Sequence, residues 1–244
     1  WSLDRLPPRA DVDYREVDLT SLDATRGAIR GADQIVHLAA IPDPYLGHPL
    51  EQVIGDNTVM SYTVFESARL EGVPRVVYGC SESSTGFGIH HVKLTPQYVP
   101  IDEDHPLWPH EAYSLSKHFG ERIGANYAEA FGMEVISLRY MWVWSVRAEE
   151  AAREIVGRSR EGFVPDRVDG FGAHIAVRDV ARACAASVAY EFPQSDGASY
   201  EAFFLSARDT FYPLPTLDLL ARNFGECPPV RDPEYFAANP YATA

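Results

Sequence analysis

Tyr113-Ser114-Leu115-Ser116-Lys117 sets a phenol and an ammonium four residues apart. On a helix, positions i and i+4 lie on one face, so the two groups can share a site. A free tyrosine titrates near pH ~10, and a neighbouring cation favours the phenolate. Such a pair can pass a proton to or from a substrate alcohol near neutral pH. Tyr-x-x-x-Lys alone is a weak signal, carried by many amphipathic helices by chance. Ser81 strengthens it. This serine follows an apolar run at 75–80, and a doubly wound sheet places its sites at the carboxyl ends of its strands. A hydroxyl there could hold the same substrate oxygen.

Other reactive residues read as structural. His90 and His91 are adjacent on an irregular stretch with no third ligand placed by spacing, so no metal site is expected. Cys80 sits in a strand pattern and reads as a small buried hydrophobe. His37 reads as a hydrogen-bonded structural histidine. His118 lies about 100° round the helix from Lys117. Trp142, in the cluster Tyr140, Trp142 and Trp144, is a candidate pocket residue.

The elements that must position these groups alternate. Continuous apolar runs at 34–40, 75–80 and 134–139 read as strands covered on both faces. Helical spacing runs over 56–70, stopped by Gly72-Val73-Pro74, and over 111–131, with Gly132 placed as its cap. Segments 22–30, 148–160 and 177–192 read as further helices, and Ser2-Leu3-Asp4 as the end of a strand. The stretch 86–109 lacks periodicity and carries Pro96, Pro100, Pro106 and Pro109; it reads as a long functional loop. The tail from Pro213 is mixed, with Pro228-Pro229 and Asp232-Pro233 reading as breaks. Strand–helix–strand repetition predicts an α/β fold, a doubly wound parallel sheet of the Rossmann type with a small C-terminal substrate-binding region. The expected division is a dinucleotide-binding domain at 1–145 and a mainly substrate-binding region at 146–244, with 173–192 returning to the first.

Composition bounds the partners. The 244 residues hold 21 Lys+Arg against 35 Asp+Glu, a formal net charge of −14. That balance argues against nucleic acid, because nothing here would displace counterions from phosphates. No run of 18 apolar residues is present, so no membrane span is expected. Three cysteines without CxxC spacing point to a reducing, cytoplasmic setting.

Taken jointly, these motifs resemble the extended short-chain dehydrogenase/reductases of the NAD-dependent epimerase/dehydratase family. Ser81, Tyr113 and Lys117 fall where that family has its catalytic Ser/Thr, Tyr and Lys. The resemblance implies that Tyr113 is the acid/base, that Lys117 lowers its pKa and holds the nicotinamide ribose, and that Ser81 orients the substrate oxygen. His37-Leu38-Ala39-Ala40 is similar to the family's HxAA segment beside the adenosine. Asp18-Leu19 is similar to its adenine contact, and Asn57 to the Asn on the helix leading to the serine strand. His174–Ala181 is similar to its late hVxDvA segment. Asp4 matches the acidic residue on a ribose 2′-OH, which favours NAD; Arg5 beside it could accommodate a 2′-phosphate and leaves NADP open. Cofactor contacts are thus expected at Asp4, Arg5, Asp18, Leu19, Leu38, Ala39, Ala40, Asn57, Tyr113 and Lys117, and substrate contacts at Ser81, Ser83 and Trp142. The resemblance also implies a homodimer that pairs helices at about 57–71 and 112–131 into a four-helix bundle.

Two departures bear on activity. Gly-x-x-Gly-x-x-Gly, the family's phosphate loop, occurs nowhere in the sequence; the expectation is that a first strand and its loop are missing from the record. Arg139-Tyr140-Met141-Trp142 puts an indole where sugar-nucleotide members carry Asn, and an indole cannot accept a hydrogen bond. Ser81-Glu82-Ser83 lacks the second carboxylate of the dehydratases, which disfavours dehydration. Segments 81–86 and 113–121 look most similar to uronate-dehydrogenase-like members. The resemblance therefore implies an NAD(P)-dependent oxidoreductase acting on a secondary alcohol or carbonyl of a sugar or sugar acid. A UDP-sugar 4-epimerase is the alternative, and a non-catalytic dinucleotide sensor on the same fold a third.

Overall fold

The computed structural model describes residues 2–4, 12–42, 47–88, 94–144, 153–154, 157, 169–193 and 199–244. Strand β1 (Ser2–Asp4) pairs in parallel with β2 (Tyr14–Glu16). Helix α1 (Leu22–Ile29) follows, with Ser21 at its N-cap accepting from the Ala24 N–H. Strand β3 (Ile35–His37) pairs in parallel with β4 (Arg75–Ser81), with His37 beside Tyr78. A four-stranded sheet runs in the order β3-β4-β5-β8, where β5 is Glu134–Tyr140 and β8 is Tyr200–Leu205. The short strands β6 (Trp142–Trp144) and β7 (His174–Ala176) form a separate parallel pair. The fold is α/β and Rossmann-like.

Helix α2 (Leu50–Glu71) starts six residues before its predicted start at 56, directly after Pro49. Its end matches the sequence. Gly72 takes φ 71° and donates its N–H to Ala68 and Arg69 carbonyls, a left-handed cap that glycine adopts without strain. Helix α3 (Ala112–Phe131) agrees with prediction at both ends, with Gly132 at φ 69°. Helix α4 (Val177–Val188) is four residues shorter than predicted. The helix predicted at 148–160 lies almost wholly outside the described residues. In the tail, the expected break at Asp232-Pro233 starts a helix, whereas Pro228-Pro229 starts none. Thr216–Phe224 forms α5 after Pro215, and Pro233–Ala238 forms α6, with Asp232 accepting from the Tyr235 N–H at its N-cap.

The chain divides into two compact units, Trp1–Cys80 with Glu111–Leu138 and Cys184–Ala202, and Ser81–His110 with Arg139–Ala183 and Phe203–Ala244. In the first, α2 and α3 pack along each other, over a core of Phe65, Ala68, Val76, Tyr78, Tyr127 and Val135. A Cβ on Gly124 would stand 2.8 Å from Phe65 Cζ, so glycine is what lets α3 close on that ring. Truncating a fully buried Phe such as Phe65 to Ala costs on the order of 3–5 kcal/mol. In the second unit, Phe87, Val99, Phe171, Leu220 and Phe236 form a separate core. Residues 94–109 carry no helix and make one isolated bridge, Val99 to Val230, in keeping with the predicted loop.

Candidate active site

The first turn of α3 is fixed from within. Glu111, buried at the N-cap, accepts from the Tyr113 N–H at 2.7 Å and from the Ser114 N–H, and the Ser114 hydroxyl accepts from the Glu111 N–H. This capping box holds the backbone that carries Tyr113. Sequence reading missed it, although Glu-x-x-Ser at a helix start is its signal.

One turn on, Lys117 is 5% exposed. Its Nζ donates to the Gly79 carbonyl at 2.7 Å. The ammonium stands 5.8 Å from the Tyr113 ring centroid and 5.4 Å from that of Tyr78. The structure thus brings the two sequence-predicted groups of α3 together. Burial lowers the Lys117 pKa to about 8, with the Cys80 thiol partly offsetting it. A backbone carbonyl and the Tyr78 ring face leave no pattern to search for, so neither was found from sequence.

Asn57 sits in α2 and spends its amide inside the protein. Its Oδ1 accepts from the Ile41 N–H at 2.7 Å, and its Nδ2 donates to the Ile41 carbonyl and the Ser116 hydroxyl, each at 3.1 Å. The Ser116 hydroxyl donates to the Tyr113 carbonyl at 2.7 Å. Asn57 therefore ties the segment after β3 to the turn between Tyr113 and Lys117.

Leu38, Ala39 and Ala40 line a trough of about 750 Å³ with Asp4 and Leu19. Both β1 and β3 border it, and among the described residues each pairs with a strand on one side only. Its lining mixes apolar side chains such as Leu3, Ile35 and Val64 with the polar Ser2, Asp4, Asp33 and Gln34. His37 also lines this trough, and its ring is 5.7 Å from that of Tyr78. Its Nε2 is buried and has no hydrogen-bond partner among the described residues. Burial first, then the Lys117 charge, lower its pKa to about 3, so it is neutral. Asp18 lies off the trough lining, and its carboxylate accepts from the N–H and hydroxyl of Thr20 at 3.0 and 2.8 Å. The Leu19 carbonyl accepts from the Thr63 hydroxyl. Arg5 lies outside the described residues.

In the second unit, Ser81 ends β4 and caps a short turn at Glu82–Thr85. Its Oγ accepts from the Ser83 N–H at 3.2 Å and the Ser83 hydroxyl at 2.9 Å. Both serines are buried. Trp142 is 41% exposed, with its ring edge-to-face against Trp144 and Phe211. Trp144 stacks on His174 at 4.2 Å. Among the described residues no cluster of three or more metal-binding side chains occurs, and no helix is long and apolar enough to cross a membrane.

The chain matches the sequence model of the NAD dependent epimerase/dehydratase family over residues 2–194. It belongs to that family, as an extended short-chain dehydrogenase/reductase, and NAD is the cofactor this membership carries. It is 32% identical over 124 residues to the uronate dehydrogenase of Agrobacterium fabrum, covering 51% of this chain and 43% of the relative. It is 29% identical over 163 residues to the L-arabinose 1-dehydrogenase (NAD(P)(+)) of Haloferax volcanii, covering 62% of this chain and 61% of the relative. Among solved structures, a UDP-galactose 4-epimerase is similar with a TM-score of 0.61 and 25% identity, over 90% of this chain and 70% of that one. The chain spans about half the length of the curated relatives it matches.

Proposed function

We propose that this chain carries the proton-transfer site of an NAD(P)-dependent oxidoreductase acting on a secondary alcohol or carbonyl carbon of a sugar or sugar acid. The observation that carries the reading is the buried ammonium of Lys117, held by the Gly79 carbonyl and set 5.8 Å from the Tyr113 ring. In this reading Tyr113 takes the proton of the substrate hydroxyl at its phenolate oxygen, favoured by the neighbouring cation. Ser81 orients the same oxygen, with Ser83 holding Ser81 in place. Trp142 lines the sugar. The bound nicotinamide supplies the hydride acceptor. Asp4, Arg5, Asp18, Leu19, Leu38, Ala39 and Ala40 would hold the adenosine half, and Lys117 and Tyr113 the nicotinamide ribose, with Asn57 positioning them. The dinucleotide-binding part would then span 1–145 and the mainly substrate-binding part 146–244, with 173–192 returning to the first.

The similarity to uronate and L-arabinose dehydrogenases supports net oxidation of a free sugar over epimerisation. A sugar-nucleotide 4-epimerase is the second reading, supported by the likeness to the UDP-galactose 4-epimerase structure. Reduction of NAD⁺ or NADP⁺ across free uronic acids, aldoses and sugar nucleotides separates the two. A dehydrogenase consumes free cofactor, whereas an epimerase keeps it bound and shows no net reduction.

A homodimer through α2 and α3 belongs to the same reading. Val59, Tyr62, Phe119 and Phe131 are exposed on these two helices, and Tyr62, Phe119 and Phe131 line one groove. A cytoplasmic setting is supported by Cys80, Cys184 and Cys227, all free thiols.

A further inference from the structure

We propose that Tyr78 is a positioning residue for Lys117, its ring face setting the place and charge of the ammonium that stands against Tyr113. The proposal rests on the reading of Tyr113 and Lys117 as the proton-transfer pair. Tyr78 is 2% exposed in β4, one residue before the carbonyl that accepts from Lys117. Its ring centroid is 5.4 Å from Nζ, within the range where a ring face attracts an ammonium, and the attraction grows when water is excluded.

The ring is itself held. A Cβ on Gly120 would overlap the Tyr78 hydroxyl and stand 2.8 Å from the Ser61 hydroxyl, so α3 has a notch at Gly120 that the phenol fills. The Tyr78 hydroxyl lies 3.4 Å from the Lys117 carbonyl and 3.4 Å from Ser61 Oγ. These are long hydrogen bonds, which makes the ring face, rather than the hydroxyl, the expected source of the effect. The His37 ring packs against it, tilted by 46° at a centroid distance of 5.7 Å.

Few other charges compete here. His37 on β3 is neutral through the whole range in which Lys117 titrates. Cys80 on β4 acts in the opposite sense to burial. On α3 itself, Tyr113 and Glu121 both act on Tyr78, and the Glu121 carboxylate accepts from the Ser137 hydroxyl at 2.9 Å. The α2 groups bonded in this region, Asn57 and Ser61, are uncharged.

The sequence holds two lysines, Lys93 and Lys117, so lysine labelled with ¹³C at Cε gives two resonances, and Lys93→Arg assigns them. The Lys117 midpoint is read by pH titration of the whole chain, with no need for turnover. Tyr78→Phe keeps the ring, and its midpoint is expected to match the parent. Tyr78→Leu removes the ring, and its midpoint is expected to fall by about 0.5–1 pH unit. The alkaline limb of kcat should move acidward by the same amount. Equal midpoints in parent and Tyr78→Leu would overturn the proposal, as would an equal drop in Tyr78→Phe. Should the parent turn over no substrate, the functional reading fails while the titration still decides the role of Tyr78. If Tyr78→Leu does not fold, Tyr78→Met is read in its place with the same expected fall.

Discussion

The Lys117 ammonium donates to the Gly79 carbonyl at 2.7 Å, and Gly79 lies two residues before Ser81 on the same strand. A buried cation on α3 is thereby tied to the strand whose end carries the candidate substrate serine. Among the described residues, solvation of the charge is given up for the Gly79 carbonyl and the ring faces of Tyr78 and Tyr113. Such an arrangement disfavours the folded state, which is what a site under functional demand shows.

Lys117→Met should therefore separate stability from activity. The folded-state pKa of about 8 lies below the ordinary value of 10.5, so the unfolded chain binds more protons between those values. The parent should gain stability as pH rises from about 8 to about 10.5. Lys117→Met should lose that gain and melt at or above the parent temperature at pH 7. Turnover should fall by about 10²–10⁴-fold. A large drop in Tm at pH 7 would contradict the assignment of a strained functional cation.

His37 acts on the acid side. Its folded pKa of about 3 lies below the unfolded value of 6.5. The unfolded chain takes up the proton first, so stability is whole above pH ~6.5 and is lost progressively down to about pH 3. Over that window the loss amounts to a few kcal/mol. In urea titrations at pH 7 and 4.5, His37→Leu should narrow the difference between the two pH values. An unchanged difference would show that His37 is protonated in the folded chain.

Gly120→Ala and Gly55→Ala make the same chemical change on two helices with opposite expected signs. Nothing lies within 4 Å of a Cβ on Gly55, so alanine there should stabilise by up to ~1 kcal/mol through helix propensity. At Gly120 the Cβ meets the Tyr78 hydroxyl, and overpacking should destabilise by about 1–3 kcal/mol despite the same propensity gain. Thermal melts of the two variants compare them directly. Stabilisation at Gly120 would mean that Tyr78 does not fill the notch.

These relationships mark the boundary of what the sequence carried. Helix α3 was legible because Gly132 and the helical spacing are local signals. The start of α2 was missed because Pro49 initiates it without a side-chain cap. Asp232-Pro233 was read as a break, yet an Asp N-cap followed by Pro at the first helical position starts α6. Strands β6 and β7 are three residues each and exist through pairing between Trp142–Trp144 and His174–Ala176, a non-local event that periodicity cannot register. Tyr113 and Lys117 were legible at helical spacing. The groups that seat Lys117, Gly79 and Tyr78, belong to a strand whose distance from α3 no local pattern encodes.

The exposed apolar row on α2 and α3 carries the dimer reading. Phe119→Glu with Phe131→Glu places two charges on a face now 40% and 52% exposed at those residues. Sedimentation velocity should show a dimer for the parent and a monomer for the double variant, with the fold retained by circular dichroism. A monomeric parent would remove the four-helix interface from the account.

The proton-transfer pair is tested most directly by NAD⁺ and NADP⁺ reduction on the full-length enzyme against free uronic acids, aldoses and sugar nucleotides, with Tyr113→Phe in parallel. The expected result is reduction by a free sugar or sugar acid that falls about 10²–10⁴-fold in Tyr113→Phe, while cofactor affinity stays nearly unchanged. Reduction that survives Tyr113→Phe would contradict the central claim. Silence with every substrate and tightly bound nicotinamide would favour the epimerase, and silence with none bound would leave a non-catalytic sensor.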